Sequence, residues 1–192
     1  MYGAIIFDFF DVLHTDSYQA WLRNHGFQRE GVFAEASRLL DRGSINMSNF
    51  YEKLSLASRI STKNIEAEFA TLAKLDTDVV SLIKTLHDNY KLGLLSNADA
   101  SHLRPILKKY ELNSLFDKII ISSEVGVIKP EPDIFHIILN ELGIKPANTI
   151  FIDDNEHNIK AAHALGIHGI WYQDVKTLRH QLHELGIDMH SA

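Results

Sequence analysis

Four short apolar runs, each broken off by a polar residue and each followed by helix-length sequence, constrain this chain more than any other feature. Ala4–Phe7 ends at Asp8, Lys91–Leu95 at Ser96-Asn97, Lys118–Ile121 at Ser122-Ser123 and Thr149–Ile152 at Asp153-Asp154. A near-continuous apolar run is the signature of a parallel strand buried on both faces. Strands alternating with helices predict parallel βαβ units and hence an α/β fold, a Rossmann-like doubly wound parallel sheet. In such a sheet the carboxyl ends of the strands share one edge, and ligands sit beyond it. An acid at that edge costs little when it faces a ligand crevice and a great deal when buried unpaired. Asp8 is therefore a candidate nucleophile or metal ligand; a helix N-cap or a solvated loop acid are the alternatives open to it at this point.

The strand signal lapses between about 15 and 76. Helical stretches replace it at Ser17–His25, Gln28–Asp41, Met47–Ser58 and Thr62–Lys74, punctuated by Gly26 and Gly43, with Ser48 and Ser61 as candidate N-caps. The expected organisation is a core built from 1–14 and 77–192 with a four-helix insertion over 15–76. Beyond it, Val79/Leu82/Ile83/Leu86, Leu103/Ile106/Leu107/Tyr110 and Phe135/Ile138/Leu139/Leu142 are helical stripes. Asn155–Leu165 predicts a further helix, His168–Tyr172 a fifth strand and Val175–Leu185 a last helix. Trp21, Phe27 and Phe33 could line a pocket, but aromatics at helical spacing more often form core.

A chain of 192 residues is long enough for one sizeable core with a small insertion. Its net charge of −6, without blocks of like charge, argues against nucleic acid or an anionic membrane as partner. There is no cysteine, which removes disulfides, thiolate nucleophiles and Cys-based zinc sites. The N-terminal run meets Asp8 too soon for a signal peptide, and no apolar run approaches the ~20 residues of a membrane span. The expectation is a soluble, cytoplasmic protein. The 11 histidines show no repeated ligand spacing.

Brought to one edge, Asp8, Ser96, Asn97, Lys129, Asp153 and Asp154 would combine carboxylates, a hydroxyl, an amide and an ammonium. Carboxylates alone repel and raise one another's pKa. A hard divalent cation resolves this, and Mg²⁺ takes such oxygen ligands while keeping positions for phosphate. Ser96 and Lys129 would address phosphate oxygens, and phosphoryl transfer needs little beyond positioning and charge neutralisation. Asp8 would then form an aspartyl-phosphate that water cleaves.

Four stretches carry a family resemblance: D-x-x-x-V-L from Asp8, L-L-S-N at Leu94–Asn97, G-x-x-K-P-E-P-x-I-F at Gly126–Phe135 and F-I-D-D-N-x-x-N at Phe151–Asn158. In this order, each at a predicted strand end, they resemble the haloacid dehalogenase superfamily, in particular its first subfamily with an α-helical cap. The F-x-D-D-N-x-x-N-I stretch is similar to a bacterial branch of sugar-1-phosphate phosphatases. The resemblance implies Asp8 as nucleophile and metal ligand, the Phe10 carbonyl and Asp154 as further Mg²⁺ ligands, and Ser96 with Asn97 as phosphate binders. It implies Lys129 as the charge stabiliser and Asp153 as an outer partner of the site or of Lys129. Asn158, one helical turn past Asp154, would orient that carboxylate or stand solvated. The partner is then a small phosphorylated molecule; the oligomeric state is not legible.

One departure stands out. Phosphatases of this superfamily carry a second Asp two residues after the nucleophile, which protonates the leaving oxygen; here that position is Phe10, and the following Gly is Asp11. General acid–base assistance is worth ~10²–10⁴ in rate. Three readings follow. The first is a phosphatase protonating its leaving group through Asp11 or water, or acting on a leaving group that needs no proton. The second is a metal-free 2-haloacid dehalogenase, which carries an aromatic residue here but lacks the paired acids. The third is a catalytically idle relative that binds or regulates.

Overall fold

The computed structural model of the protein describes residues 1–189. Five strands, β1 (Ala4–Phe7), β2 (Lys91–Ser96), β3 (Lys118–Ile121), β4 (Thr149–Asp153) and β5 (His168–Trp171), form one sheet. Their order is β3-β2-β1-β4-β5, and every pairing is parallel. β1 is central: Phe7 lies in register with Leu94 of β2 and Ile152 of β4, so Asp8 emerges between the ends of both neighbours.

Alternation along the central strands assigns the two faces. Ile5, Phe7, Leu92, Leu94, Ile150 and Ile152 point into one apolar cluster, covered by α5 (Thr77–Leu86), α6 (Ala100–Lys109) and α10 (Val175–Glu184). Ala4, Ile6, Leu95 and Phe151 point into the other, covered by α8 (Pro132–Leu142) and α9 (Glu156–Ala164). Each fully buried Leu, Ile or Phe contributes about 1.5–3 kcal/mol. Gly93 lets α8 lie close on the sheet, since a Cβ there would stand 2.9 Å from the Ile138 side chain. A single helical turn, α7 (Ser122–Val125), follows β3 directly.

Between β1 and α5 lie α1 (Ser17–His25), α2 (Gly31–Asp41), α3 (Met47–Ser58) and α4 (Thr62–Leu72). They enclose their own apolar cluster around Tyr18, Trp21, Leu22, Phe50, Leu54 and Phe69. Trp21 is fully buried there, with Phe27 and Phe33 packed against it, so these aromatics are core and not pocket lining. Two expected helices shorten. Gln28–Glu30 forms the turn into α2, because Glu30 is extended and offers no side-chain cap, and α4 stops where Ala73 turns extended.

The two crossings between this helical layer and the sheet layer are tied together. Thr15 N–H donates to Lys74 O at 2.9 Å and Asp76 N–H to Leu13 O at 2.8 Å. At the far end, Ser122 Oγ donates to Asp41 O at 2.5 Å, and Arg42 reaches Gly126 O at 3.2 Å and pairs with Glu131. Gly43 makes this approach feasible: its φ is +71°, and a Cβ would meet Ser123 O at 2.8 Å. No described helix is long and apolar enough to cross a membrane.

Candidate active site

The ends of β1 and β4 and the loop between α7 and α8 build one acidic cluster. Asp8 follows β1 and is buried, its N–H still donating to Ile152 O at 2.9 Å. Its Oδ1 accepts the Phe9 N–H at 2.7 Å and faces the Lys129 ammonium at 2.7 Å. Lys129 is 3% exposed and reaches Asp153 Oδ2 at 2.8 Å on its other side. Oxygens of Asp8, Asp153 and Asp154 lie within 4.8 Å of one another.

The three acids are held differently. Asp153 is wholly buried and saturated: its carboxylate accepts the Asn155 N–H at 2.8 Å, the Asn158 amide at 2.9 and 3.0 Å, and Lys129. Asn158 therefore does not orient Asp154, as expected from sequence, but Asp153; the amide is buried and points back at the strand end. Asp154 is exposed to the cavity, and no described residue hydrogen-bonds its carboxylate. Nor does any described residue donate to the Phe10 carbonyl.

Asn97 departs from its expected place on phosphate. Its Nδ2 donates to Lys129 O at 2.9 Å and its Oδ1 accepts the Lys129 N–H at 2.8 Å, so the side chain clamps the loop that carries the lysine. Ser96 is fully buried at the end of β2, and its Oγ has no partner. A buried hydroxyl left unpaired costs about 1–3 kcal/mol, which marks this one as a position for something the polypeptide does not supply. Asp11, in the left-handed region at φ +55°, accepts the Asp16 N–H at 2.8 Å through Oδ1.

Electrostatically the cluster is incomplete. Burial pushes the Asp8 carboxyl well above the ordinary range against the pull of Lys129, and Asp153 and Asp154 push the same way. Asp154, although open to the cavity, is raised to about 6, chiefly because the surrounding walls displace bulk water and then by Asp153 and Asp11. Burial works against the Lys129 charge, but Asp153 and Asp8 outweigh it and hold the ammonium above its usual value. One cation facing three carboxylates leaves uncompensated negative charge. Hard oxygen donors in that state fit Mg²⁺. Among the described residues this metal-capable group contains no histidine.

A cavity of about 540 Å³ opens over the cluster, bounded by Asp8, Lys129 and Asp154 below and by Gln19, Arg23, Arg29 and Asp41 from the helical layer above. A smaller void of about 70 Å³ adjoins it, lined by Phe10, Tyr18, Leu40, Phe50 and Phe69, and Phe10, Asp16, Arg29, Asp41 and Asn97 border both. Sequence reasoning missed Asp41, Arg29 and Arg23: a charged residue on an amphipathic helix looks solvated until the layer is folded over the sheet edge.

A family model for haloacid dehalogenase-like hydrolases matches residues 2–166. Drimenol cyclase drtB from Aspergillus calidoustus is 26% identical over 149 residues, 74% of this chain and 28% of that protein. Phosphoglycolate phosphatase from Pasteurella multocida is 28% identical over 96 residues, 50% of this chain and 43% of its own length. The chain thus spans less than half of these curated relatives. Among solved structures, a HAD family enzyme from Bacteroides thetaiotaomicron, in complex with magnesium and inorganic phosphate, superposes with a TM-score of 0.72 at 25% identity, covering 93% of this chain and 99% of that one.

Proposed function

The chain belongs to the haloacid dehalogenase-like hydrolases, and from that membership and its acidic cluster we propose that it is a Mg²⁺-dependent phosphatase of small phosphate monoesters. The observation that carries this is the three-carboxylate cluster with one buried lysine at the carboxyl end of β1 and β4. The phosphatase relative and the neighbour crystallised with magnesium and phosphate support it.

Asp8 is the nucleophile. Its Oδ1 is fixed by Phe9 N–H and Lys129, which leaves Oδ2 without a protein donor and able to attack phosphorus. The residues that would hold Mg²⁺ are Asp8, Asp154 and the Phe10 carbonyl, and the ion would supply a hard positive charge for phosphate oxygens. Lys129 spreads the charge of Asp8 and of the transferring group, and Asn97 holds the lysine in register. The orphan hydroxyl of Ser96 gains its missing partner from a phosphate oxygen. Asp153, with Asn158, keeps Lys129 charged and placed. The helical layer over 15–76 acts as a cap that excludes water and reads the leaving group. The retained acids count against the metal-free dehalogenase reading.

The test is phosphate release from an activated aryl phosphate, with Mg²⁺ and with chelator, by wild type and Asp8→Asn. We expect metal-dependent release that falls to background in Asp8→Asn while its thermal melt stays cooperative. Turnover surviving in the variant would remove Asp8 from the nucleophile's role; a folded wild type inert with Mg²⁺ would return the protein to the binding reading.

A further inference from the structure

An alkyl phosphate expels an alkoxide, a strong base, so its P–O bond breaks readily only when a proton reaches the leaving oxygen. The side chains nearest Asp8 are poorly placed to give one. Phe10 has none. Asp11 accepts the Asp16 N–H and Asp16 accepts the Tyr18 and Gln19 N–H groups at 2.9 and 3.1 Å, with Arg29 at 3.4 Å on its second oxygen, so both carboxylates are engaged in holding the start of α1. Lys129 is locked between two carboxylates.

Asp41 differs from all of these. It is the last residue of α2, its backbone carbonyl pinned to the core by Ser122 Oγ, and no described residue hydrogen-bonds its carboxyl. It stands on the wall shared by the cavity above Asp8 and the small aromatic void beside it. A monoester bound with its phosphoryl group in the first and its carbon side toward the second would have its bridging oxygen near that shared wall.

We propose that Asp41, from the cap, is the proton donor to the leaving oxygen and the base for the water that follows. This rests on the phosphatase reading above. In the first step Asp8 attacks phosphorus, the bond to the leaving oxygen breaks, and that oxygen takes the Asp41 proton, giving an alcohol, an aspartyl-phosphate and an Asp41 carboxylate. In the second, water attacks phosphorus, Asp41 takes its proton, and the bond to Asp8 breaks, giving inorganic phosphate and restoring both carboxyl groups. The charged groups around Asp41 are Arg29 and Asp16 from the cap and Lys129 and Asp99 from the core, with His102 lining the adjoining void. Burial raises the carboxyl to about 7 against the pull of Arg29, which suits a group that must give and take a proton near neutrality.

The experiment compares an activated nitrophenyl phosphate with an alkyl phosphate on the Mg²⁺-loaded protein. In wild type the rate should depend only weakly on leaving-group pKa; a steep dependence would mean no proton arrives, and would overturn the proposal without any variant. Asp41→Asn should cut alkyl phosphate turnover about 10²–10⁴-fold. With nitrophenyl phosphate it should release a burst of one nitrophenol per chain and then stall at the aspartyl-phosphate. An equal loss on both substrates with no burst, or no loss on either, overturns the proposal and leaves the phosphatase reading standing. Wild type releasing phosphate from neither overturns both. Asp41→Ser, given the same assay, serves if the Asn variant does not fold.

Discussion

At the scale of single residues, the cluster trades stability for charge. Asp154 and Asp41 have folded-state values of about 6 and about 7 where an unfolded Asp sits near 3.8, and Asp8 is raised as well. Such a carboxyl favours the folded state fully below its unfolded value, and that contribution is lost as pH climbs through the raised one. For these groups the metal-free protein is therefore less stable at pH 8 than at pH 5. A divalent cation bound to the folded form would restore the balance at the upper pH. Asp154→Asn should raise the melting temperature of the metal-free protein at pH 8 by a few degrees and remove most of the rise produced by Mg²⁺. A variant that melts lower without metal, or gains as much from Mg²⁺ as wild type, would refute this. Most of the residues in the cluster were legible, because each ends an apolar run. Their partners were not: Asn158 was expected to orient Asp154 or stand solvated and Asn97 to bind phosphate, and the structure puts them on Asp153 and Lys129. Such pairings depend on strand register and loop path, which local sequence does not encode.

At the scale of elements, periodicity revealed nearly every helix and strand, and misplaced only ends such as Gln28–Glu30, where helical spacing reaches back across the extended Glu30 at which α2 begins. What periodicity could not show was how the α2 terminus docks on the sheet layer. That contact depends on one glycine. Gly43→Val would force a β-branched residue to φ +71° and drive its Cβ into Ser123 O, 2.8 Å from the ideal position. Strain of this kind costs of order 1–3 kcal/mol. Because Gly43 follows Asp41 by two residues, the displacement should also reach the cavity: we expect a lower melting temperature together with reduced kcat/KM. Loss of stability with kinetics untouched would mean the docking serves only the fold.

At the scale of the whole molecule, the protein is two apolar units joined by two short crossings and pressed together over a shared polar cavity. The sheet layer supplies Asp8, Lys129 and Asp154; the helical layer supplies Asp41, Arg23 and Arg29 from the opposite wall. The two tryptophans fall one to each unit. Trp21 is sealed in the helical cluster, while Trp171, at the end of β5, is 49% exposed at the cavity rim and donates its indole N–H to the Asp154 carbonyl at 2.8 Å. The protein thus carries a built-in optical probe of the acidic cluster. Charge arriving at Asp154 alters the field along that indole, while Trp21 contributes a constant background. Intrinsic emission should therefore follow Mg²⁺ saturably, and the response should vanish in Trp171→Phe but survive in Trp21→Phe. Emission unmoved by metal under conditions where Mg²⁺ shifts the melting curve would show that the ion sits out of reach of that ring.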